Sequence, residues 1–497
     1  MHLLPKSQSH GPLYLSFPSL GTTGAVVLLS LLTVFHIWLA AFLPPADDEL
    51  YYWSWAQTLQ SSYFDHPPMV AYLIRASTSI FGNSVLALRL PAIAISLFIF
   101  IALLRLAPRG NLIWALLFCP LTFIGSVLIT PDLPLVFFWT LYALWFAWIN
   151  ASLEGWSSDP ITRVYQNSPV TWLQWIIGGT LLGLGGLSKY TMLLAVPSGL
   201  AALAIRTRLR AWGPGYLFHL FIAGLLVSPV LVFNWRYGFA PLHFQWNHSM
   251  GSSGISFSEW FRFIGGQILL VGALPFLLFI WIAVRYRDLC ADAKSQAYFA
   301  FFMLPFGFFV YKALSHKLEA NWPIVGYLTF WPIADRLLSW SSFRGIVRGV
   351  VGISFLAPWA VSAIILIHLI RPFPSFEPRF DRVAVLRGQW ETAQQIAAEI
   401  HAQGISTVWL PNYQWTSYMR FLGVGGEQTV PSGRESQFTL GAKQTCEVAG
   451  EQAVSLDTSD AHSGALSCFS KREVLKQFVV TARGQEVGRV WLARYSR

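Results

Sequence analysis

Two short runs carry most of the chemistry-bearing side chains near the start of this chain. The first is Asp47-Asp48-Glu49-Leu50-Tyr51-Tyr52-Trp53, and the second is Tyr63-Phe64-Asp65-His66-Pro67-Pro68. Both follow directly on a membrane-length apolar run, Ala25 to Leu43. Ionised groups beside a bilayer are costly, so acids gathered there mark a functional site by default. A carboxylate held at such a place, here Asp48 with Glu49 next to it, can take the proton of an acceptor hydroxyl as a general base. The same Asp-Glu pair is also a good helix start, so by itself it carries little. In the second run, two prolines stiffen the backbone just past an acid and an imidazole. That suits Asp65 and His66 to holding a metal or a phosphate. Proline at a first helical position is the plainer role.

Further polar residues interrupt apolar stretches downstream. Thr130-Pro131-Asp132 places an acid at a span boundary, and Ser188-Lys189-Tyr190 places a lysine in an apolar hairpin. A bare ammonium there is expensive, and a phosphate partner would offset the cost, with snorkelling to the surface as the bland alternative. The hairpin Ser315-His316-Lys317-Leu318-Glu319-Ala320-Asn321-Trp322-Pro323 adds a His, a Lys and an Asn. Arg236 and the loop Gln245-Trp246-Asn247-His248 are weaker signals of the same kind. Acids in the first loop and cations in later loops suit a reaction in which a base activates a hydroxyl and cations receive a departing lipid phosphate. The chain has no Walker loop and no Gly-x-Gly-x-x-Gly after a soluble strand, which argues against chemistry on a cytoplasmic sugar nucleotide.

These residues must be positioned by membrane helices. Of the 497 residues, 54% are apolar and 12% charged, where soluble domains carry roughly 25% charged residues. Tryptophans recur near the ends of apolar runs (Trp38, Trp114, Trp139, Trp212, Trp281, Trp322), as interfacial belts require. The formal net charge of +10 lies largely in short loops and reads as a topology signal, with no nucleic-acid partner expected. Apolar stretches at 23–43, 84–106, 111–129, 133–150, 172–188, 190–205, 214–233, 262–284, 297–313, 320–338 and 347–370 predict a mainly α, polytopic bundle of about 11–13 spans. The first stretch reads as a retained span, since no small-residue cleavage site precedes Pro44-Pro45. The amphipathic segment 68–81 reads as an interfacial helix. Arg105, Arg109, Arg206, Arg208, Arg210, Arg285, Arg287, Arg344 and Arg348 then share one face, the cytoplasmic one. The motifs named above fall on the other face.

Composition changes after Arg371-Pro372-Phe373-Pro374, dividing 1–370 from a small α/β domain at 371–497. Val383–Leu386, Ile405–Leu410, Val474–Thr481 and Gly488–Ala493 read as strands, and Glu391–His401 as an amphipathic helix. In an oxidising compartment Cys446 and Cys468 are candidates to pair or to stay apart.

At these residues the chain resembles the membrane-embedded GT-C glycosyltransferases of the protein O-mannosyltransferase superfamily. The bacterial branch of aminoarabinose–lipid A transferases and lipopolysaccharide-core galacturonosyltransferases is the most similar. The resemblance rests on Asp48–Trp53, Tyr63–Pro68, Thr130-Pro131-Asp132, Leu187–Thr191, Asn234-Trp235 and His316-Lys317 through Pro323, and covers residues 23–370. Asn412-Tyr413-Gln414-Trp415-Thr416-Ser417 is similar to the periplasmic domain of that branch. The resemblance implies a polyprenyl (undecaprenyl) phosphate sugar donor, an inverting displacement, Asp48 as the base and Asp132 as a second important acid. Asp65-His66-Pro67-Pro68 takes the place of a Glu-Lys-Pro-Pro motif that binds metal and lipid phosphate. The expected enzyme is thus a monomeric glycosyltransferase of the bacterial inner membrane, acting at the periplasmic face on lipid A or lipopolysaccharide core. Asp48, Glu49 and Asp132 are its catalytic candidates. Asp65, His66, Lys189, Tyr190, Arg236, His316, Lys317 and Asn321 are its phosphate-binding candidates, and Asp65 with His66 is the candidate site for a divalent cation. A protein hydroxyl as acceptor, and a lipid-linked-sugar flippase, are the alternatives. Against the flippase, no pair of matching broken helices marks two halves.

Overall fold

The computed structural model describes residues 22–106, 119–153, 170–204, 209–250, 254–273, 292–340, 346–373, 377–431 and 434–497. Its helices, in chain order, begin with α1 (Thr22–Phe42), α2 (Asp47–Gln57), α3 (Met69–Phe81), α4 (Val85–Leu106) and α5 (Pro120–Phe123). There follow α6 (Asp132–Ser152), α7 (Trp172–Gly186), α8 (Ala195–Ala204), α9 (Leu209–Arg236), α10 (Ala240–Met250) and α11 (Phe257–Val271). The helical part closes with α12 (Ala293–Lys312), α13 (Ile324–Trp340) and α14 (Ile346–Ile370). Among the described residues, four helices are long and apolar enough to cross a membrane: Thr23–Phe42, Val85–Arg105, Asp132–Ser152 and Gly213–Arg236. The other apolar helices among them are shorter. In lipid, helices associate by close packing of small residues, and α7 does this with α9. A Cβ added at Gly179 would lie 2.5 Å from the His219 carbonyl, and one at Gly183 2.8 Å from Leu226 Cβ.

Several expected spans differ in detail. The described part of 111–129 is the short α5 and a 3-10 turn, Gly125–Val127, rather than one continuous helix. Pro120 and Gly125 interrupt it, since the first lacks an amide donor and the second loses more entropy on ordering. The stretch 190–205 opens with a 3-10 turn, Tyr190–Leu194, before α8. Residues 111–118, 274–284 and 205 lie outside the described residues, as do Arg109, Trp114, Arg206, Arg208, Trp281, Arg285, Arg287, Cys290 and Arg344.

The carboxy-terminal region begins with α15 (Arg382–Ala402) and contains a five-stranded sheet, β1 (Thr407–Leu410), β2 (Gly425–Gln428), β3 (Gln452–Asp457), β4 (Lys471–Ala482) and β5 (Gln485–Ser496). The strand order is β2-β1-β3-β5-β4, with β1 parallel to β2 and β3 and the other pairs antiparallel. Helix α16 (Tyr413–Phe421) connects β1 to β2. The expectation of a strand at Val383–Leu386 is corrected: these residues open α15. Asp381 caps that helix, its carboxylate accepting from the Ala384 amide at 3.0 Å, and a capped helix start overrides a short apolar Val-Ala-Val-Leu stretch. Strands β2 and β3 are additions to the expected set. Cys446 and Cys468 are joined by a disulfide.

Helix α15 lies so close on the sheet that a Cβ at Gly388 would stand 1.8 Å from the Thr481 carbonyl oxygen. Gly388→Ala must therefore push helix and strand apart. It is expected to destabilise the protein by about 1–3 kcal/mol, read as a lowered unfolding temperature in detergent.

The aromatic helix α2 packs into the same core as this region. Leu50, Tyr51, Trp53 and Trp55 share a buried cluster with Tyr413, Trp415, Tyr418 and Met419. The Trp53 ring meets Phe421 at 4.9 Å between centroids. The carboxy-terminal region is thus packed directly against the first acidic helix.

Candidate active site

The site is built where α1 ends and α2 begins. Arg89, in the first turns of α4, is fully buried. Its Nη1 donates to the carbonyls of Ala40 (2.7 Å) and Leu43 (2.9 Å), and its Nη2 to that of Pro44 (2.8 Å). These carbonyls end α1 and have no helical partner of their own. The same guanidinium holds Glu49, at 2.9 Å from Nε and 2.5 Å from Nη2. Glu49 also accepts from the Ala46 amide at 3.0 Å, which fixes the start of α2, and from the Ile129 amide at 3.1 Å. Each Glu49 oxygen is therefore engaged by Arg89 and by a backbone amide. Its carboxylate ties together α1, α2, α4 and the segment leading into Asp132. Arg89 is absent from the expected site, although a charged residue near the start of an apolar span is itself a signal.

Asp48 is adjacent in sequence and differently placed. It keeps an exposed edge, and its Oδ1 accepts from the Tyr413 hydroxyl at 3.0 Å. The protein packed around the carboxylate withdraws much of the stabilisation that water gives an anion. Together with the charge of Asp47, this raises its pKa to about 6, against the Tyr413 hydrogen bond and the positive charge of Arg434. Asp47 is paired with Arg382 at 3.2 Å.

Asp65 is buried, with Oδ2 accepting from the Tyr51 hydroxyl at 2.8 Å and Oδ1 bound by Arg434 Nη2. Arg434 lies over the Tyr413 ring at 4.6 Å and the Phe244 ring at 5.2 Å. Gln437 completes this junction. Its amide donates to the Tyr51 hydroxyl at 2.5 Å, and its side-chain oxygen accepts from the Phe64 amide at 2.8 Å. Sequence reasoning missed Arg434 and Gln437 as site residues, and nothing local in their segment marks them.

Asp132 opens α6. Its Oδ1 accepts from Lys189 Nζ at 2.7 Å and its Oδ2 from Asn321 Nδ2 at 2.8 Å, with the ammonium 5.9 Å from the Trp322 ring centroid. Three distant segments therefore meet at one carboxylate. The hairpin that carries Lys189 is tied to the first loop as well, through the Met69 amide and the Leu187 carbonyl at 3.0 Å. Tyr52 joins the two acid clusters. Its buried phenol is pushed well up by desolvation and by the charges of Asp48, Asp65 and Asp132.

The fold matches solved structures along nearly its whole length. ArnT from Cupriavidus metallidurans bound to undecaprenyl phosphate aligns with a TM-score of 0.64 and 14% identity, covering 95% of this chain and 98% of that one. The apo state of the same protein aligns with a TM-score of 0.59 and 15% identity. Residues 65–159 match the family model described as dolichyl-phosphate-mannose-protein mannosyltransferase. A lipid A galacturonosyltransferase, RgtD of Rhizobium johnstonii, is 24% identical over 323 residues, 62% of this chain and 64% of that protein's length. The chain thus spans less than two thirds of the curated relative it matches.

The chain has a GT-C fold.

It is a multi-pass membrane protein with a small carboxy-terminal sheet region, as the motifs led one to expect. The other expected site residues are placed as follows. Tyr190 is half-buried, its hydroxyl accepting from Asn234 Nδ2 at 3.4 Å. His66 is half-buried, its carbonyl accepting from the Tyr63 amide at 3.1 Å and its ring 6.2 Å from Tyr52. His316 is half-buried in the loop that ends at Asn321. Arg236 and Lys317 are exposed, and no contact joins either to the acid clusters among the described residues.

Asp65 and His66 do not form a donor set suited to a divalent cation. Both Asp65 oxygens are engaged, one of them by a guanidinium, whose positive charge opposes a metal at that place. Among the described residues no group of three or more His, Cys, Asp or Glu side chains could hold a metal ion.

Proposed function

We propose that this protein transfers a sugar from a polyprenyl phosphate to a hydroxyl of lipid A or lipopolysaccharide core, at the periplasmic face of a bacterial inner membrane. The observation that carries the reading is the status of Asp48 among the acids. Asp47, Glu49, Asp65 and Asp132 each form an ion pair. Among the described residues Asp48 forms none, and its carboxyl is pushed up to about 6. A general base works best when its pKa lies near the working pH and its lone pairs are available. Two relatives support the donor and acceptor classes: a lipid A galacturonosyltransferase and a protein solved with undecaprenyl phosphate bound.

In the proposed reaction the acceptor oxygen attacks the anomeric carbon from the face opposite the phosphate. The bond from that carbon to the phosphate oxygen breaks, and the acceptor proton passes to Asp48. The leaving phosphate gathers negative charge as the bond breaks, and Lys189 is the cation beside the acids that receives it. Asp132 holds the ammonium, and Asn321 in turn holds Asp132, so together they set where that charge is met. Glu49, fully engaged with Arg89 and two amides, orients Asp48 and the segment leading to Asp132 and takes no proton.

The test is reconstitution of purified protein with polyprenyl-phosphate-linked sugar and lipid A. Mass spectrometry is expected to show modified lipid A and an equal amount of free polyprenyl phosphate. Movement of the donor across vesicles with no polyprenyl phosphate released would instead mark a transporter. Asp48 accepts a proton only when ionised, so kcat/KM is expected to fall as pH drops below about 6, approaching tenfold per unit. A rate that held level from pH 7 down to 5 would remove Asp48 from the base role.

A further inference from the structure

The carboxy-terminal region reaches the first outer loop through polar contacts as well as through a shared core. Tyr413 bonds Asp48, Arg434 bonds Asp65, Arg382 bonds Asp47, and Gln437 bonds Tyr51 and Phe64. We propose that Tyr413 is a positioning residue for the base: its hydroxyl orients the Asp48 carboxylate and favours its ionised form, so the carboxy-terminal region completes the reaction centre. This rests on the reading of Asp48 as the base.

The phenol is held from several sides. Tyr413 is the first residue of α16, and Asn412 caps that helix, its side-chain oxygen accepting from the Trp415 amide at 3.0 Å. The Tyr413 ring packs on Tyr51 at 4.7 Å between centroids and carries the Arg434 guanidinium at 4.6 Å. With the ring clamped, the hydroxyl has one direction, and Asp48 Oδ1 lies along it at 3.0 Å. The partnership runs both ways, because burial and the Asp48 anion push the phenol up and keep it a donor.

Among the described residues this is the one side-chain hydrogen bond to the Asp48 carboxylate. From α2 come Asp47 and Glu49, neutralised by Arg382 and Arg89. From the first loop comes Asp65, paired with Arg434, and the phenols of Tyr51 and Tyr52 lie nearby. Burial and the two neighbouring aspartates oppose ionisation of Asp48, while Tyr413 and Arg434 favour it. A hydrogen bond that forms to the charged form of an acid lowers its pKa, and its loss raises it.

The experiment compares kcat/KM–pH profiles of wild type and Tyr413→Phe, which keeps the ring and its packing and removes the donor. The acid limb is expected to move upward by about one unit. At pH 6 the variant would then be about fivefold slower, converging on wild type to within about threefold above pH 8. A purely structural role would lower the plateau and leave the limb in place. Should Tyr413→Phe fail to fold, 3-fluorotyrosine at position 413 keeps the shape and strengthens the donor, and the limb is then expected to move downward. An unmoved limb in either variant, with Asp48→Asn inactive, overturns the role of Tyr413 and leaves the base reading standing. Wild-type turnover by Asp48→Asn overturns both.

Discussion

Asp48→Asn is expected to lower kcat by about 10²–10⁴-fold, the usual worth of a general base, with little change in thermal stability. The amide is nearly the same size as the carboxylate and still accepts the Tyr413 hydrogen bond. What it lacks is the capacity to take the acceptor's proton. Because Asp48 forms no ion pair among the described residues, its neutralisation strands no buried cation. The measurement is single-turnover transfer from purified lipid donor, paired with an unfolding curve for each protein. A loss of activity that tracked a loss of folded protein would defeat the assignment, since the variant is meant to separate the two. Matched variants at Asp65 and Asp132 would not separate them, because each strands a cation, Arg434 or Lys189.

The second large effect is on folding. Arg89→Ala leaves the Glu49 carboxylate buried without its counter-ion, and it also frees the carbonyls of Ala40, Leu43 and Pro44. Removing one partner of a buried pair costs about 3–5 kcal/mol, enough to exhaust much of the stability of an ordinary domain. The variant is expected to yield little folded protein after extraction. A paired change, Arg89→Met with Glu49→Gln, is expected to recover a good part of the loss. The single Gln oxygen still accepts from one of the two amides, that of Ala46 or that of Ile129, and no charge remains buried. If the double variant were no better than Arg89→Ala, the main contribution of Arg89 would lie in capping α1 and not in neutralising Glu49. Equal stability of Arg89→Ala and wild type would rule out the clamp altogether.

The clamp also explains why two adjacent acids take different parts. Glu49 and Asp48 are separated by one residue step on a helix, about 100° of rotation, so one faces α4 while the other faces α16. Glu49 meets a guanidinium and Asp48 meets a phenol.

Much about this protein was legible in the order of its residues. Apolar runs between short basic loops specify a helical membrane protein, because lipid tolerates few other backbones. The runs Asp47–Trp53 and Tyr63–Pro68, with Thr130-Pro131-Asp132, Lys189 and Asn321, named the acids and bases that do converge. The pairing of Asp132 with Lys189 and Asn321 was not legible there: the sequence offered the Lys189 ammonium a phosphate or the surface, and the fold gives it a carboxylate. Tertiary structure decided which acid is engaged and which is available. Glu49 looks like a twin of Asp48 until Arg89, 40 residues away, closes on it. The contacts that complete the Asp48 environment lie further still, with Tyr413 at 365 residues from Asp48 and Arg434 at 369 from Asp65. Val383–Leu386 read as a strand because β-branched residues favour one locally, and the Asp381 cap on α15 reversed that. Periodicity and composition report a residue's own neighbourhood along the chain. The pairing of charges across hundreds of residues depends on how buried aromatic surfaces dock, and that information exists only in the packed whole.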